Sequence, residues 1–129
     1  MSIDRRILIA DDDAEVRAGA VELMLEMGLE VLEAGSGSEA LTIVRRTAPL
    51  HLAVLDMNMP GHSGLEVFET LRRETLDLPC ILWSGDATDV MEQVVLRAGA
   101  SAFLRKPVRP DELRANVRQI LEARWGASN

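Results

Sequence analysis

Short apolar runs and amphipathic stretches alternate along the whole chain. "RILIA" is a continuous apolar run that ends in turn-forming aspartate, the mark of a buried strand. From Ala14 to Met27, the residues Val16, Ala20, Leu23 and Met27 recur at helical spacing, and Gly28 stops the helix. "LEVLEA" alternates as a strand. Ser36 or Ser38 then caps a helix that carries Ala40, Leu41 and Val44 and ends before Pro49. "HLAVLD" is a third strand, closed by Asp56 and the turn-rich "MNMPGHSG", and Leu65 to Arg73 places Leu65, Phe68 and Leu71 on one helical face. "LPCILW" is the fourth strand and "SGDATD" a loop. A helix from Val90 to Ala98 follows, stopped by Gly99. "SAFLRK" is the fifth strand, and Pro110 opens a last helix with Leu113, Val117, Ile120 and Leu121 inward.

Five strands alternating with five helices predict an α/β domain, a parallel sheet covered on both faces. The 129 residues fit one domain, with a core expected over about residues 5–124. No repeat, linker or low-complexity segment appears, and the tail "WGASN" is too short for a further domain. Aromatic residues make up only 3%, so the core rests on Leu, Val, Ile, Ala and Met.

The net charge of −7 argues against direct nucleic-acid binding or adhesion to a membrane surface by the whole domain. No segment reaches transmembrane length and the N-terminal apolar run is too short for a signal peptide, so a cytoplasmic location is expected. The single cysteine, Cys80, excludes an intrachain disulfide and reads as a small buried hydrophobe. His51 and His62 stand alone and read as ordinary residues rather than ligands.

The stretch "ILIADDDAEVR" poses the chemical question, because three carboxylates follow one another directly. Two like charges about 4 Å apart repel by roughly 4 kcal/mol at an effective dielectric near 20. In a parallel α/β sheet, ligands sit beyond the carboxyl ends of the strands. The residues at those ends are Asp11 and Asp12, Asp56, Ser84 and Lys106. Carboxylates with polar backbone make an oxygen-only site suited to Mg²⁺, with Mn²⁺ as a second choice. A carboxylate is also a nucleophile toward phosphorus, and phosphoryl transfer asks mainly for positioning and nearby positive charge. Asp13 is read separately, as a helix-capping carboxylate facing the helix dipole. "DMNMPG" fits an EF-hand at Asp56, Asn58 and Gly61, but Pro60 and Val67 occupy ligand places and a strand precedes it, so a calcium loop is rejected.

Over essentially its full length the chain resembles the receiver domain of two-component response regulators. The resemblance is carried by the acidic pair in "ILIADDD", the aspartate in "LAVLDMNMPGHSG", the hydroxyl residue in "ILWSGDA" and the lysine-proline in "AFLRKP". It implies a flavodoxin-like doubly wound (βα)5 fold with strand order 2-1-3-4-5. It implies Asp56 as phosphoryl acceptor, and Asp11, Asp12, Asp56 and the backbone carbonyl of Asn58 as the Mg²⁺ site. Asp12 would touch the metal directly and Asp11 mostly through water. Ser84 and Lys106 would bind phosphoryl oxygens, and Phe103 would be the aromatic switch. Asn58 and Asp86 would influence how long the phosphoryl group lasts.

The implied function is a phosphorylation-dependent signalling switch, charged by a histidine kinase or histidine phosphotransfer protein. It is not an enzyme in its own right, and only assists its own phosphorylation and dephosphorylation. The implied partner surface is the face of the fourth helix, fifth strand and fifth helix, where Arg97, Arg105, Arg109, Arg114 and Arg118 lie, and a downstream protein or a second receiver docks there. Two other readings stand beside it: an interaction module that works without phosphorylation, and an aspartyl-phosphate phosphohydrolase suggested by the Asp-x-Asp within residues 11–13. A flavin or nucleotide binder of this fold is disfavoured, since no Gly- or hydroxyl-rich loop follows the first strand.

Overall fold

The computed structural model describes residues 5–47, 49–74 and 77–126. The first four residues and the last three, which include the ends of the N-terminal run and of the tail read above, lie outside the described residues. The elements run β1 (Arg6–Ala10), α1 (Ala14–Glu26), β2 (Glu30–Ala34), α2 (Gly37–Arg46), β3 (Leu52–Asp56), α3 (Gly64–Arg73), β4 (Cys80–Ser84), α4 (Asp89–Arg97), β5 (Ala102–Arg105) and α5 (Pro110–Trp125). All strand pairs are parallel and the sheet order is β2-β1-β3-β4-β5, as the resemblance implied.

The central strands are apolar throughout because both faces are covered, and side-chain alternation sorts them into two layers. Ile7, Ile9, Leu52, Val54, Ile81 and Trp83 point toward α1 and α5, where they meet Ala20, Leu23, Met24, Leu113, Val117 and Leu121. Leu8, Ala10, Ala53, Leu55, Cys80 and Leu82 point the other way, onto Ala40, Leu41, Val44, Val67, Phe68, Leu71 and Val95 of α2, α3 and α4. Cys80 belongs to this second layer, and burial pushes its thiol up to about 12, consistent with a packing role.

Local polar chemistry sets where helices begin. Ser36, not Ser38, caps α2 by accepting the Glu39 N–H. A reciprocal capping box between Ser63 and Glu66 starts α3 at Gly64, one residue earlier than the periodicity predicts. Thr88 likewise accepts the Met91 N–H and starts α4 at Asp89. Pro110 opens α5 without a side-chain cap. Gly28 and Gly99 end α1 and α4 with φ of 81° and 107°.

The last helix continues to Trp125, whose indole N–H donates to the His51 carbonyl at 2.8 Å. The two rings meet edge to face, with centroids 5.1 Å apart. His51 Nδ1 accepts the Arg6 N–H at 3.0 Å, and burial lowers its pKa, so this histidine is a structural tie. Among the described residues, no helix is long and apolar enough to cross a membrane.

Candidate phosphoryl and metal site

Parallel strands deliver their carboxyl ends to one edge, and the polar residues met there are those at the strand tips. Asp11 follows β1, Asp56 ends β3, Ser84 ends β4 and Lys106 follows β5. Asp11, Asp56 and Ser84 are buried, whereas Asp12 is exposed.

Each buried oxygen side chain is fixed by the same local device. The N–H two residues onward donates to it: Asp13 to Asp11 Oδ1 at 2.9 Å, Asn58 to Asp56 Oδ1 at 3.2 Å, and Asp86 to Ser84 Oγ at 3.1 Å. Such turns are what short polar side chains form where a strand breaks off. Asp13 then caps α1 by accepting from Glu15 and Val16, as expected of it, so the acidic run divides into two site residues and one cap.

Asp11, Asp12 and Asp56 each bring a carboxylate oxygen to one place, with all three atoms within 4.8 Å of one another. Lys106 reaches in from the far side, with Nζ 2.7 Å from Asp11 Oδ2 and 3.3 Å from Asp56 Oδ1. Asp11 Oδ2 is buried, and the Lys106 ammonium is its close partner. A buried carboxylate oxygen with acceptor capacity to spare, beside two other hard oxygens, fits a divalent cation.

The charges answer one another. Burial pushes the Asp56 carboxyl up to about 6, and Asp11 adds to this while the Asn58 N–H and Lys106 oppose it. Burial also works against the Lys106 charge, but Asp11 and Asp56 outweigh it and hold the ammonium above its ordinary pKa. The site therefore joins a buried carboxyl, Asp56, to Asp11 and Asp12, with the Lys106 ammonium fixed against two of the three.

Ser84 is tied to Lys106 through the backbone, since its carbonyl accepts the Lys106 N–H at 2.8 Å. Phe103 is half-buried against the α2–α4 core layer and pairs in register with Leu82. By alternation it stands on the same sheet face as Ser84. Asn58 is exposed in the loop after β3. Of the five arginines of the α4–β5–α5 region, Arg105 pairs with Asp89 and Glu92, and Arg114 with Asp111. Val90 and Val94 of α4 are 72% and 49% exposed on the same side of that helix.

Two site residues were not singled out from the sequence. A Cβ on Gly64 would meet the Asp56 carbonyl oxygen at 2.3 Å, so α3 can seat against the end of β3 only through glycine. The signal was the second glycine of "MPGHSG" at the start of the helix. Trp83, in register with Asp56, places its ring centroid 5.3 Å from Lys106 Nζ. The alternation of "CILWS" would have put it on the face opposite Ser84.

Comparison with known proteins agrees with this geometry. Residues 7–118 match the family model of the response regulator receiver domain. The chain is 37% identical over 117 residues to a probable transcriptional regulator ycf27 of Porphyridium aerugineum, and 36% identical over 118 residues to that of Cyanophora paradoxa. These alignments cover 90% and 91% of this chain but 48% of each relative, so the chain spans about half the length of the curated relatives it matches. Among solved structures, it is similar to a CheY-like response regulator receiver domain protein of Methanospirillum hungatei, at 28% identity and a TM-score of 0.87, covering 94% of this chain and 96% of that one. The signal receiver domain of a LuxO repressor protein described as putative, from Vibrio parahaemolyticus, has the same fold, with a TM-score of 0.89 at 21% identity over 94% of this chain and 92% of that one.

Proposed function

This chain belongs to the response regulator receiver domain family, and from that premise we propose that it is a phosphorylation-dependent switch with Asp56 as acceptor. The observation that carries the reading is the meeting of three carboxylates within 4.8 Å, bridged at Asp11 and Asp56 by the Lys106 ammonium. In this reading the Asp56 oxygen is the nucleophile, the carboxylates together take the divalent cation, and Lys106 supplies the fixed positive charge.

In the proposed step, an Asp56 carboxylate oxygen bonds to phosphorus as the phosphorus–nitrogen bond of a phosphohistidine breaks, and the histidine nitrogen takes up a proton. The donor is a histidine kinase or histidine phosphotransfer protein, for which a small phosphodonor can substitute. Asp11, Asp12, Asp56 and the Asn58 carbonyl would hold Mg²⁺, which supplies charge neutralisation for the incoming phosphoryl oxygens. Lys106 neutralises a phosphoryl oxygen and the Ser84 hydroxyl donates to another. The Asn58 N–H already fixes the Asp56 carboxylate, so its other oxygen is free to attack.

The transfer is stoichiometric, one phosphoryl group per chain, and the output is conformational. Movement of Ser84 toward the phosphoryl group opens space on the sheet face it shares with Phe103, and the ring turns inward. The exposed Val90 and Val94 of α4, with Arg97 of the same helix and Arg118 of α5, then meet a downstream protein or a second receiver. Transcriptional regulation, which the relatives' names carry, would be reached through that contact rather than by this domain touching DNA.

Intact-mass measurement after acetyl phosphate in Mg²⁺ tests the assignment. Wild type gains one phosphoryl group and Asp56→Asn gains none. Undiminished incorporation in the variant overturns it.

A further inference from the structure

The Lys106 ammonium has a partner besides the two carboxylates. Its Nζ lies 5.3 Å from the Trp83 ring centroid, inside the range of about 6 Å at which an aromatic face attracts a cation. Trp83 is 2% exposed and packed among Ile9, Val54, Ile81 and Leu104. Its carbonyl accepts the Met57 N–H at 2.9 Å, which ties the ring's own residue to the one after Asp56. The residue is therefore held by the sheet and its ring by the packed layer around it.

Hydrogen bonding does not explain an indole here. Its N–H is buried and meets no acceptor among the described residues, a burden that phenylalanine or leucine at this place would avoid. What tryptophan offers over both is the strongest face for a cation.

We propose that Trp83 is a positioning residue that keeps the Lys106 ammonium beside Asp56 when its carboxylate partners are claimed by a divalent cation. Asp11 and Asp56, which hold Nζ at 2.7 and 3.3 Å, are two of the three residues able to bind that ion. A bound dication competes for their charge and repels the ammonium. The buried ring is no such prize for a strongly hydrated metal ion, which would have to shed its water to reach it. Lys106 thus keeps one partner that the metal does not take, and stays in reach of an oxygen on a group bonded to Asp56. This rests on the reading of Asp56 as acceptor.

Nuclear magnetic resonance of the full chain tests the contact directly, because protons over an aromatic face shift upfield. The Lys106 ε-methylene protons should be upfield in wild type without metal and remain so in saturating Mg²⁺. The shift should persist in part in Trp83→Phe and vanish in Trp83→Leu. Initial phosphorylation by acetyl phosphate should fall about five- to tenfold in Trp83→Leu and less in Trp83→Phe, with folding of both checked by amide spectra. Loss of the upfield shift when Mg²⁺ is added to wild type overturns the proposal, as does a Trp83→Phe or folded Trp83→Leu chain that phosphorylates like wild type with its Lys106 shift unchanged. Should wild type itself gain no phosphoryl group, the acceptor reading fails, and the ε-proton shifts alone decide whether the ring retains the ammonium.

Discussion

Gly64 and the backbone oxygen of Asp56 approach so closely that a methyl group on the glycine would sit 2.3 Å from that oxygen. The first turn of α3 rests directly on the end of β3, and neither is the flexible end of a side chain. Gly64→Ala should force the two apart, destabilising the fold by at least about 1–3 kcal/mol. Urea denaturation measures it. The same variant should bind Mg²⁺ more weakly, because the displaced strand carries Asp56, one of the three residues able to hold the ion.

The raised pKa of Asp56 fixes the sign of a pH effect. Its carboxyl keeps its proton up to about pH 6 when folded, whereas its ordinary value is 3.8. Between those values the native state binds more protons than the unfolded chain, so without metal this group's contribution to stability falls as pH rises through the window and then levels off. The loss by pH 7 is at most about 3 kcal/mol. Asp56→Asn removes it, since asparagine can still accept the Asn58 N–H. The variant should be more stable than wild type at pH 7 in chelator, by about 1–2 kcal/mol, with the difference shrinking toward pH 4. Denaturation curves across that range would show a constant difference if the carboxyl were not the cause.

Magnesium should act in the opposite direction. An ion that binds the native state alone adds about 2.7 kcal/mol at a hundredfold excess over its dissociation constant. Wild type should therefore melt several degrees higher in Mg²⁺ than in chelator. Asp12 is exposed, so Asp12→Asn should leave the metal-free melting temperature nearly unchanged. It should weaken Mg²⁺ binding about tenfold or more, the worth of one charged contact. Calorimetric titration gives the affinity and thermal melts give the rest.

Trp125 predicts a purely structural effect. Its N–H to His51 and the edge-on contact of the two rings fasten the end of α5 to the start of β3. Trp125→Ala should lower stability by about 1–2 kcal/mol and leave the extent of Asp56 phosphorylation unaltered. Denaturation and intact mass read the two quantities separately.

How far the sequence foretells this molecule depends on the range of each interaction. Strand tips could be read because a parallel sheet sends them all to one edge, so Asp11, Asp56, Ser84 and Lys106 converge without any knowledge of contacts. Asp13 could be separated from its neighbours because capping is decided within three residues. Met24 escaped the count of inward positions on α1 because the buried stripe there is wider than one residue per turn, yet its side chain is fully covered. The joining of His51 to Trp125 spans 74 positions, and the seating of Gly64 on Asp56 depends on how a helix lands on a strand. Local periodicity holds no record of either. The pairing of Arg105 with Asp89 and Glu92 has the same cause, since it forms only once α4 folds beside β5.

The strand order leaves β2 and β5 each with one unpaired border, where a foreign polypeptide could add itself as another strand. Both borders are fenced with ions. Glu30 and Glu33 of β2 are exposed and held by Arg6 and Arg17, while Arg105 of β5 is held by Asp89 and Glu92. A strand added at either border would have to strip water from these charged groups. The same short ionic links that anchor the outermost strands thus raise the cost of adding a further strand at either border.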